Sequence, residues 1–312
     1  MLTASTASSS TRPARRVGSG FTLIELMVAL VLLGLVAGGV LRVVFQQQRF
    51  YNGLSDVMAT RGSLREIANV LPTDLRAMSP SSGDIYAMTD TSIDFRLATG
   101  LSVVCQIGSS RTQITLPPTS LSSNSGLTSW LSTPAQGDTV YIYDEGATNG
   151  VSDDSLDTYT VTSTPSSGSC PTTTGFTSTS TEASNGVTLV LSGTLPTTVV
   201  QGATVRFFRH AHYSLYQPTA GLWYLGYKDC PGAICGTIQP VSGPFLAATT
   251  TDASGLRFVY RDSTGAVTTD TKKVARIDIS MRARTKGTVS LPDAGTGYYG
   301  DSLKVSVAVR NR

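Results

Sequence analysis

Charge is scarce in this chain. Only 14% of its 312 residues are Asp, Glu, Lys or Arg, against roughly 25% in an average soluble domain. Serine, threonine and glycine fill the gap, a balance that points to an extracytoplasmic, β-rich protein with polar, uncharged loops. Histidine is nearly missing: His210 and His212 are the only two, and two apart on a strand they share one face. No third ligand accompanies them, so two solvated side chains are favoured over a metal site. The sequence has no GxSxG, so neither histidine has a nucleophile elbow to serve, and catalysis is not expected. "GTGYYG" at 295–300 fits GxGxxG, but a strand rather than a helix follows it, which excludes the dinucleotide reading in favour of a turn. No cofactor is expected. The formal charge of +3 comes from 24 basic and 21 acidic residues, and Arg12, Arg15 and Arg16 all precede Phe21. Beyond Phe21 the two signs balance, which gives no bulk attraction to nucleic acid and leaves room only for local basic patches.

Cysteine is sparse but even in number: Cys105, Cys170, Cys230 and Cys235. In an exported protein that count is most simply two disulfides, with three connectivities open. The close pair in "CPGAIC" can bridge locally, leaving Cys105 to meet Cys170 across a long loop, and this pairing is favoured. No CxxC spacing supports a metal alternative.

What the chain has in quantity is one apolar run. "FTLIELMVALVLLGLVAGGVL", from Phe21 to Leu41, carries a single charge, Glu25. As a helix rising about 1.5 Å per residue it spans about 30 Å, enough to cross a bilayer core. The three upstream arginines place its N-terminus on the cytoplasmic side and everything downstream outside. A cleaved signal peptide would use the small residues Ala37 and Gly39 and start the mature chain at Val40, yet the apolar pattern continues past that point into "VLRVVF". A plain signal anchor leaves Glu25 unexplained, since a carboxylate near a membrane-helix centre costs about 2–3 kcal/mol. Gly34 and Gly38 form a GxxxG, suited to close helix packing or to local unwinding and also common in membrane helices.

"GFTLIEL", Gly20 to Leu26, resembles the processing site of type IV pilins and type II secretion pseudopilins. The resemblance implies a leader at 1–20, cleavage by a membrane prepilin peptidase between Gly20 and Phe21, and N-methylation of Phe21. It places Glu25 where that family's carboxylate meets the N-terminal amine of a neighbouring subunit. The physics agrees, because a carboxylate buried alone is costly and a partner's ammonium compensates it.

Beyond the membrane-length segment, taken as 21–44, helical periodicity continues to residue 79. Leu54, Val57, Met58, Leu64, Ile67, Leu71, Leu75 and Met78 recur at three- and four-residue steps, an apolar stripe fit to lie on a sheet. Gly53, Gly62 and Pro72 are its weak points; Pro72 predicts a kink or break near Leu71, and Pro80 with Gly83 ends the helix. Residues 80–312 read as strands and turns: "IYAMTDTSIDFRL", "LSVVCQI", "DTVYIYD", "DTYTVT", "VTLVLS", "ATVRFFRHAHYSLYQ", a hairpin across Pro218–Gly221, then "GLRFVYRDSTGAVTTDTKKVARIDISMRAR" and "DSLKVSVAVRNR". The low-complexity stretches 117–134 and 162–184 are expected as flexible loops. The acidic stretch holding Asp144, Glu145, Asp153, Asp154 and Asp157 offers oxygen ligands for calcium, but the EF-hand spacing is absent and a solvated loop is favoured. Trp130 and Trp223 belong to the core by default, with an interface as the alternative.

The order of these elements resembles the PilW-like (GspJ-like) minor pilins. The likeness rests on Leu75 and Arg76, on Tyr213, Leu215, Leu222 and Trp223, on Phe258, Tyr260, Asp262 and Gly265, on Val274, Ile277 and Ile279, and on Arg310 and Asn311. Residues 100–200 depart most from it. The resemblance implies an α+β, pilin-like fold: a long N-terminal helix and then a β-rich domain. It implies a non-enzymatic filament subunit in the inner membrane, single-pass with a periplasmic outer domain, that passes into a pilus or pseudopilus. Its implied partners are other pilin subunits, the prepilin peptidase and the inner-membrane assembly platform; on the balanced charge alone no nucleic acid is expected. A type II secretion pseudopilin is the near alternative, and a signal-anchored binding or enzymatic domain the alternative of another class.

Overall fold

The computed structural model describes residues 22–119, 121, 127–148, 150–218, 221–232, 235–249, 253–291 and 295–310. A long helix, α1 (Leu23–Arg76), leads into a β-rich globular domain built of antiparallel sheets, an α+β fold. The chain divides into two units, residues 1–52 and 53–312, with the boundary inside α1.

In the first unit, Leu, Val, Ala and Met, mostly good helix formers, dominate, and every described residue from Thr22 to Asn52 is exposed. Among the described residues α1 is the one helix long and apolar enough to cross a membrane.

In the second unit the rest of α1 turns one face inward. Val57, Thr60, Leu64, Ile67, Leu71, Pro72 and Leu75 are buried, and Met78 just past the helix continues the line. The helix runs through Pro72 to Arg76 without the expected break. A proline forfeits one backbone bond, and here its ring is buried in the same stripe as Leu71 and Leu75. Leu54 and Met58 lie outside the buried stripe and are exposed. A 3-10 turn at Pro80–Ser82 follows, closed by Gly83 at φ 81°, a left-handed conformation that glycine adopts without penalty.

The strands are β1 (Ile85–Met88), β2 (Ser92–Val103), β3 (Gln106–Ile107), β4 (Gln113–Leu116), β5 (Ser129–Trp130), β6 (Thr139–Asp144), β7 (Ser155–Thr160) and β8 (Ser166–Gly168). After the short helix α2 (Ser180–Ser184) come β9 (Gly186–Val190), β10 (Thr204–Tyr216), β11 (Trp223–Cys230), β12 (Gln239–Phe245), β13 (Leu256–Arg261), β14 (Arg276–Arg284), β15 (Val289–Leu291), β16 (Gly295–Gly297) and β17 (Gly300–Ala308). The main sheet runs β1-β2-β10-β11-β12-β14-β13, with β17 on β14, β5 on β2, and β6 followed by β7 on β10. A second sheet runs β3-β4-β9-β8, and β15 pairs β16.

Two cores result. The first sets Leu64, Ile67, Leu71, Leu75 and Met78 against the inward residues of the main sheet, among them Phe95, Tyr213, Phe245, Phe258, Ile277 and Ile279. The second joins Val104, Ile114, Leu116, Val140, Ile142, Leu189, Val205 and Phe207, with Trp130 packed on it edge-to-face against Phe207. Strand β10 serves both. Its pairing with β2 shifts register between Phe207 and Phe208, where Thr99 of β2 is the extra residue. Along one side of β10, Val205 and Phe207 enter the second core, and Ala211 and Tyr213 the first.

The stretch 162–184 is more ordered than its composition suggests. It holds β8, a 3-10 turn at Thr172–Thr174 and α2. A capping box fixes α2: the Glu182 amide donates to Thr179 Oγ1, and Thr179 N–H donates back to Glu182 Oε2. A disulfide from Cys170 to Cys105 ties the stretch to the second core. Part of 117–134 lies outside the described residues, and the remainder contributes β5 to the main sheet.

Candidate processing and assembly site

The processing pair Gly20 and Phe21 lies outside the described residues. Two residues on, Thr22 precedes the first turn of α1, and its Oγ1 accepts the Glu25 amide at 3.3 Å. "TLIE" thus matches the first half of a capping box, with Glu25 at the third helical position. A carboxylate in the first turn also meets the positive end of the helix dipole. Glu25 therefore has a local reason to sit at this position besides any intermolecular one, and Thr22 is the residue that the motif reading overlooked. Gly34 and Gly38 have no atom within 4 Å of an added Cβ. Around them Leu23, Leu33 and Leu35 are 78%, 64% and 70% exposed. A segment this apolar and this exposed is covered by lipid or by other helices whenever it is in water-containing surroundings.

The other singled-out residues go elsewhere. Cys105 joins Cys170, and Cys230 joins Cys235. In the acidic loop, Asp144 accepts from the Gly146 amide, and Asp153 accepts from the amides of Ala147 and Thr148 and from the Thr148 hydroxyl. Those Thr148 and Ala147 donors, the Thr148 hydroxyl foremost, hold the Asp153 carboxyl below its usual range. Asp154 accepts from the Tyr143 hydroxyl, and Asp157 from Ser155 and Tyr159. These carboxylates therefore serve the turn itself. Among the described residues no group of three or more His, Cys, Asp or Glu side chains is arranged to hold a metal ion. His210 and His212 do share a face of β10, and both reach Asp94 on β2, at 3.1 and 2.9 Å. Trp223 is half-buried against the first core.

Two polar anchors that the sequence did not flag hold the outer domain. Arg209 is buried and donates to both oxygens of Asp138, at 2.9 and 2.7 Å; that hydrogen bonding raises its pKa against the opposing effect of burial. Tyr213 donates to Asp74 of α1 at 2.7 Å, latching helix to sheet. Burial pushes the Asp74 carboxyl up, against the Tyr213 hydrogen bond that lowers it.

The family described as the prokaryotic N-terminal methylation motif matches residues 15–41, which spans Gly20, Phe21, Glu25 and the exposed part of α1 up to Leu41. No curated protein and no solved structure matches the chain. A prepilin-type methylation motif followed by an apolar helix supports a type IV pilin-like protein anchored in a membrane at its N-terminus.

Proposed function

We propose that the chain is a minor pilin or pseudopilin of the PilW-like kind, a structural subunit that takes part in the assembly or initiation of a type IV pilus or related filament. Prepilin peptidase cuts between Gly20 and Phe21 and Phe21 is N-methylated. The protein waits in the inner membrane with its outer domain in the periplasm, and then passes through the assembly platform into a filament. There the Glu25 carboxylate pairs with the methylated amine of a neighbouring subunit. It acts by packing and not by catalysis.

One observation carries this reading. The methylation motif leads into a helix segment whose apolar surface has no cover among the described residues of its own unit and whose only charge up to Leu41 is the carboxylate of the fifth residue after the cut. In lipid an unpaired carboxylate is costly, and an adjacent ammonium offsets that cost. Mass spectrometry of the mature N-terminus tests it. N-methylated Phe21 is expected; an intact leader, or a start at Val40, overturns the proposal in favour of a signal-anchored or signal-cleaved protein.

A further inference from the structure

The near-balance of charge beyond Phe21 conceals a segregation. On β13, Arg257 and Arg261 alternate with the buried Phe258 and Tyr260. On β14, Arg276, Asp278, Ser280, Arg282 and Arg284 alternate with the buried Ile277, Ile279, Met281 and Ala283. The register pairs Arg257 with Ser280 and Arg261 with Arg276, and on the other side Ser280 with Lys304 of β17. Side chains of directly paired residues project to the same side of a sheet. Six cations therefore share the face turned away from the first core, and Asp278 is the one carboxylate among these strand positions.

Asp278 is already engaged, accepting from Arg261 at 2.6 Å and lying 3.1 Å from Arg276. Asp262 and Asp270 stand in the β13–β14 connection, at that same end. The charge of Arg282, Arg284 and Lys304 stands at the opposite end, where among the described residues Arg282 donates to a backbone oxygen, Ser254 O, at 3.4 Å. Lys304 is exposed beside it. Arg284 there lies over the ring of Tyr298, 5.1 Å from its centroid, and Tyr298 is 58% exposed.

Alternate residues along a strand are about 6.7 Å apart and neighbouring strands about 4.8 Å. Both spacings fall within a Debye length at physiological salt, about 8 Å, so these charges act as one field. The face is hollowed into a trough of ≈ 400 Å³ lined by Arg261, Arg276, Asp278, Ser280, Arg282 and Lys304 among others, running from the Asp278 pairs toward the opposite end. A trough suits a chain-like anion, whereas a lipid surface is met by large apolar side chains set beside the cations. Val259 is the only such side chain directed outward from β13 and β14.

We propose that this face of β13–β14–β17 binds the phosphodiester backbone of a nucleic acid without regard to sequence, with Arg282, Arg284 and Lys304 on phosphates and Tyr298 offering a surface for base stacking. The inference is independent of the filament reading.

The test uses the full chain in a neutral detergent and labelled oligonucleotides of about 20 residues, single-stranded and duplex, each in two unrelated sequences. Both sequences bind equally. About three phosphate contacts make duplex affinity fall about fortyfold between about 50 and 200 mM salt. Arg282→Ala with Lys304→Ala weakens binding about tenfold and flattens the log–log salt slope by about 2. Arg206→Ala with Lys228→Ala removes the same charge from other strands and changes neither. If the first pair alters the melting temperature, the single exposed change Lys304→Glu gives the same reading, a loss of affinity and of salt slope. Absence of binding at the lower salt overturns the proposal. So does an equal loss in the Arg206/Lys228 variant, or binding to anionic phosphatidylglycerol vesicles without binding to either oligonucleotide.

Discussion

The two halves of α1 are one helix with opposite surroundings. From Thr22 to Asn52 every described residue is exposed, although most are apolar; from Val57 to Leu75 one face, with Val57, Leu64, Ile67, Leu71 and Leu75, is buried while Met58 on another stays exposed. The difference lies in how apolar residues are distributed. Up to Leu41 the leading half is apolar all round but for Glu25, the pattern of a helix that needs lipid or other helices on every side. The trailing half interrupts its apolar residues with Arg61, Arg65, Glu66, Asn69 and Asp74, and so has a single side to bury. On the proposed function the leading half carries the intermolecular work, while the trailing half packs into the core of the β-rich domain.

Substitutions that reverse charge or size in each half sharpen that division. The largest effect falls on Glu25. Glu25→Val leaves insertion and processing intact and lowers incorporation into filaments at least about tenfold, since a pairing worth more than about 1.4 kcal/mol is lost with the carboxylate. Glu66→Val, at an exposed site of the trailing half, leaves incorporation unchanged. Comparison of sheared filaments with the membrane pool measures both, and equal incorporation of the Glu25 variant defeats the role given to that carboxylate.

Next in size is the staple of the second core, which α1 does not reach. The Cys105–Cys170 bond closes a loop of 65 residues, for which loop-closure entropy is worth about 4 kcal/mol. Cys105→Ser with Cys170→Ser therefore lowers the denaturation midpoint of the outer domain. The loss is larger than that from opening the Cys230–Cys235 loop, whose separation is 5. Equal losses from the two double variants break the argument.

Within the trailing half, Leu71→Ala empties a fully buried site and costs about 3 kcal/mol of outer-domain stability. Leu33→Ala in the leading half, a chemically identical change, leaves that stability unaltered. Denaturant unfolding of the full chain in detergent, followed by Trp130 and Trp223 fluorescence, separates them.

The sequence made this division legible because both patterns are local: continuous apolarity and three-to-four spacing depend on neighbours within a few turns. Strand alternation was readable for the same reason in "RFVYR" and "RIDISMRAR". What escaped is of two kinds, local hydrogen bonds that apolar patterning does not register and contacts between segments far apart in the chain. Thr60 completes the buried stripe because a threonine hydroxyl can return to its own helix, donating to Asp56 O at 2.8 Å. The order of 162–184 comes from a disulfide partner 65 residues away and from a Thr179-x-x-Glu182 cap that serine- and threonine-rich composition masks. The basic face is spread over three strands whose adjacency no single stretch reveals. Of the candidate site, the motif around Gly20, Phe21 and Glu25 was legible in full as a pattern, whereas the Thr22 cap became visible only as a contact.

The smallest predicted effect reports on the quality of burial that the trailing half creates. Tyr213, latched to Asp74, and Tyr260, whose hydroxyl donates to Ser92 O, both lie in the helix-backed core. Burial first, and then nearby carboxylates, push both phenols well above their ordinary value of 10.0. For a group whose folded pKa is raised, the native state holds its proton more tightly than the unfolded chain does. Its contribution is complete below pH 10 and is lost as pH climbs toward the folded value. Stability therefore declines with alkali from about pH 10 upward, each tyrosine giving up about 1 kcal/mol between pH 10 and 11. Tyr260→Phe removes one ionisable group without touching the helix. Its stability is lower at pH 8 by about 1 kcal/mol for the lost hydrogen bond, but it falls less steeply above pH 10, so the two curves converge. Parallel curves would mean that Tyr260 ionises alike in both states, and that the core behind α1 is wetter than its packing implies.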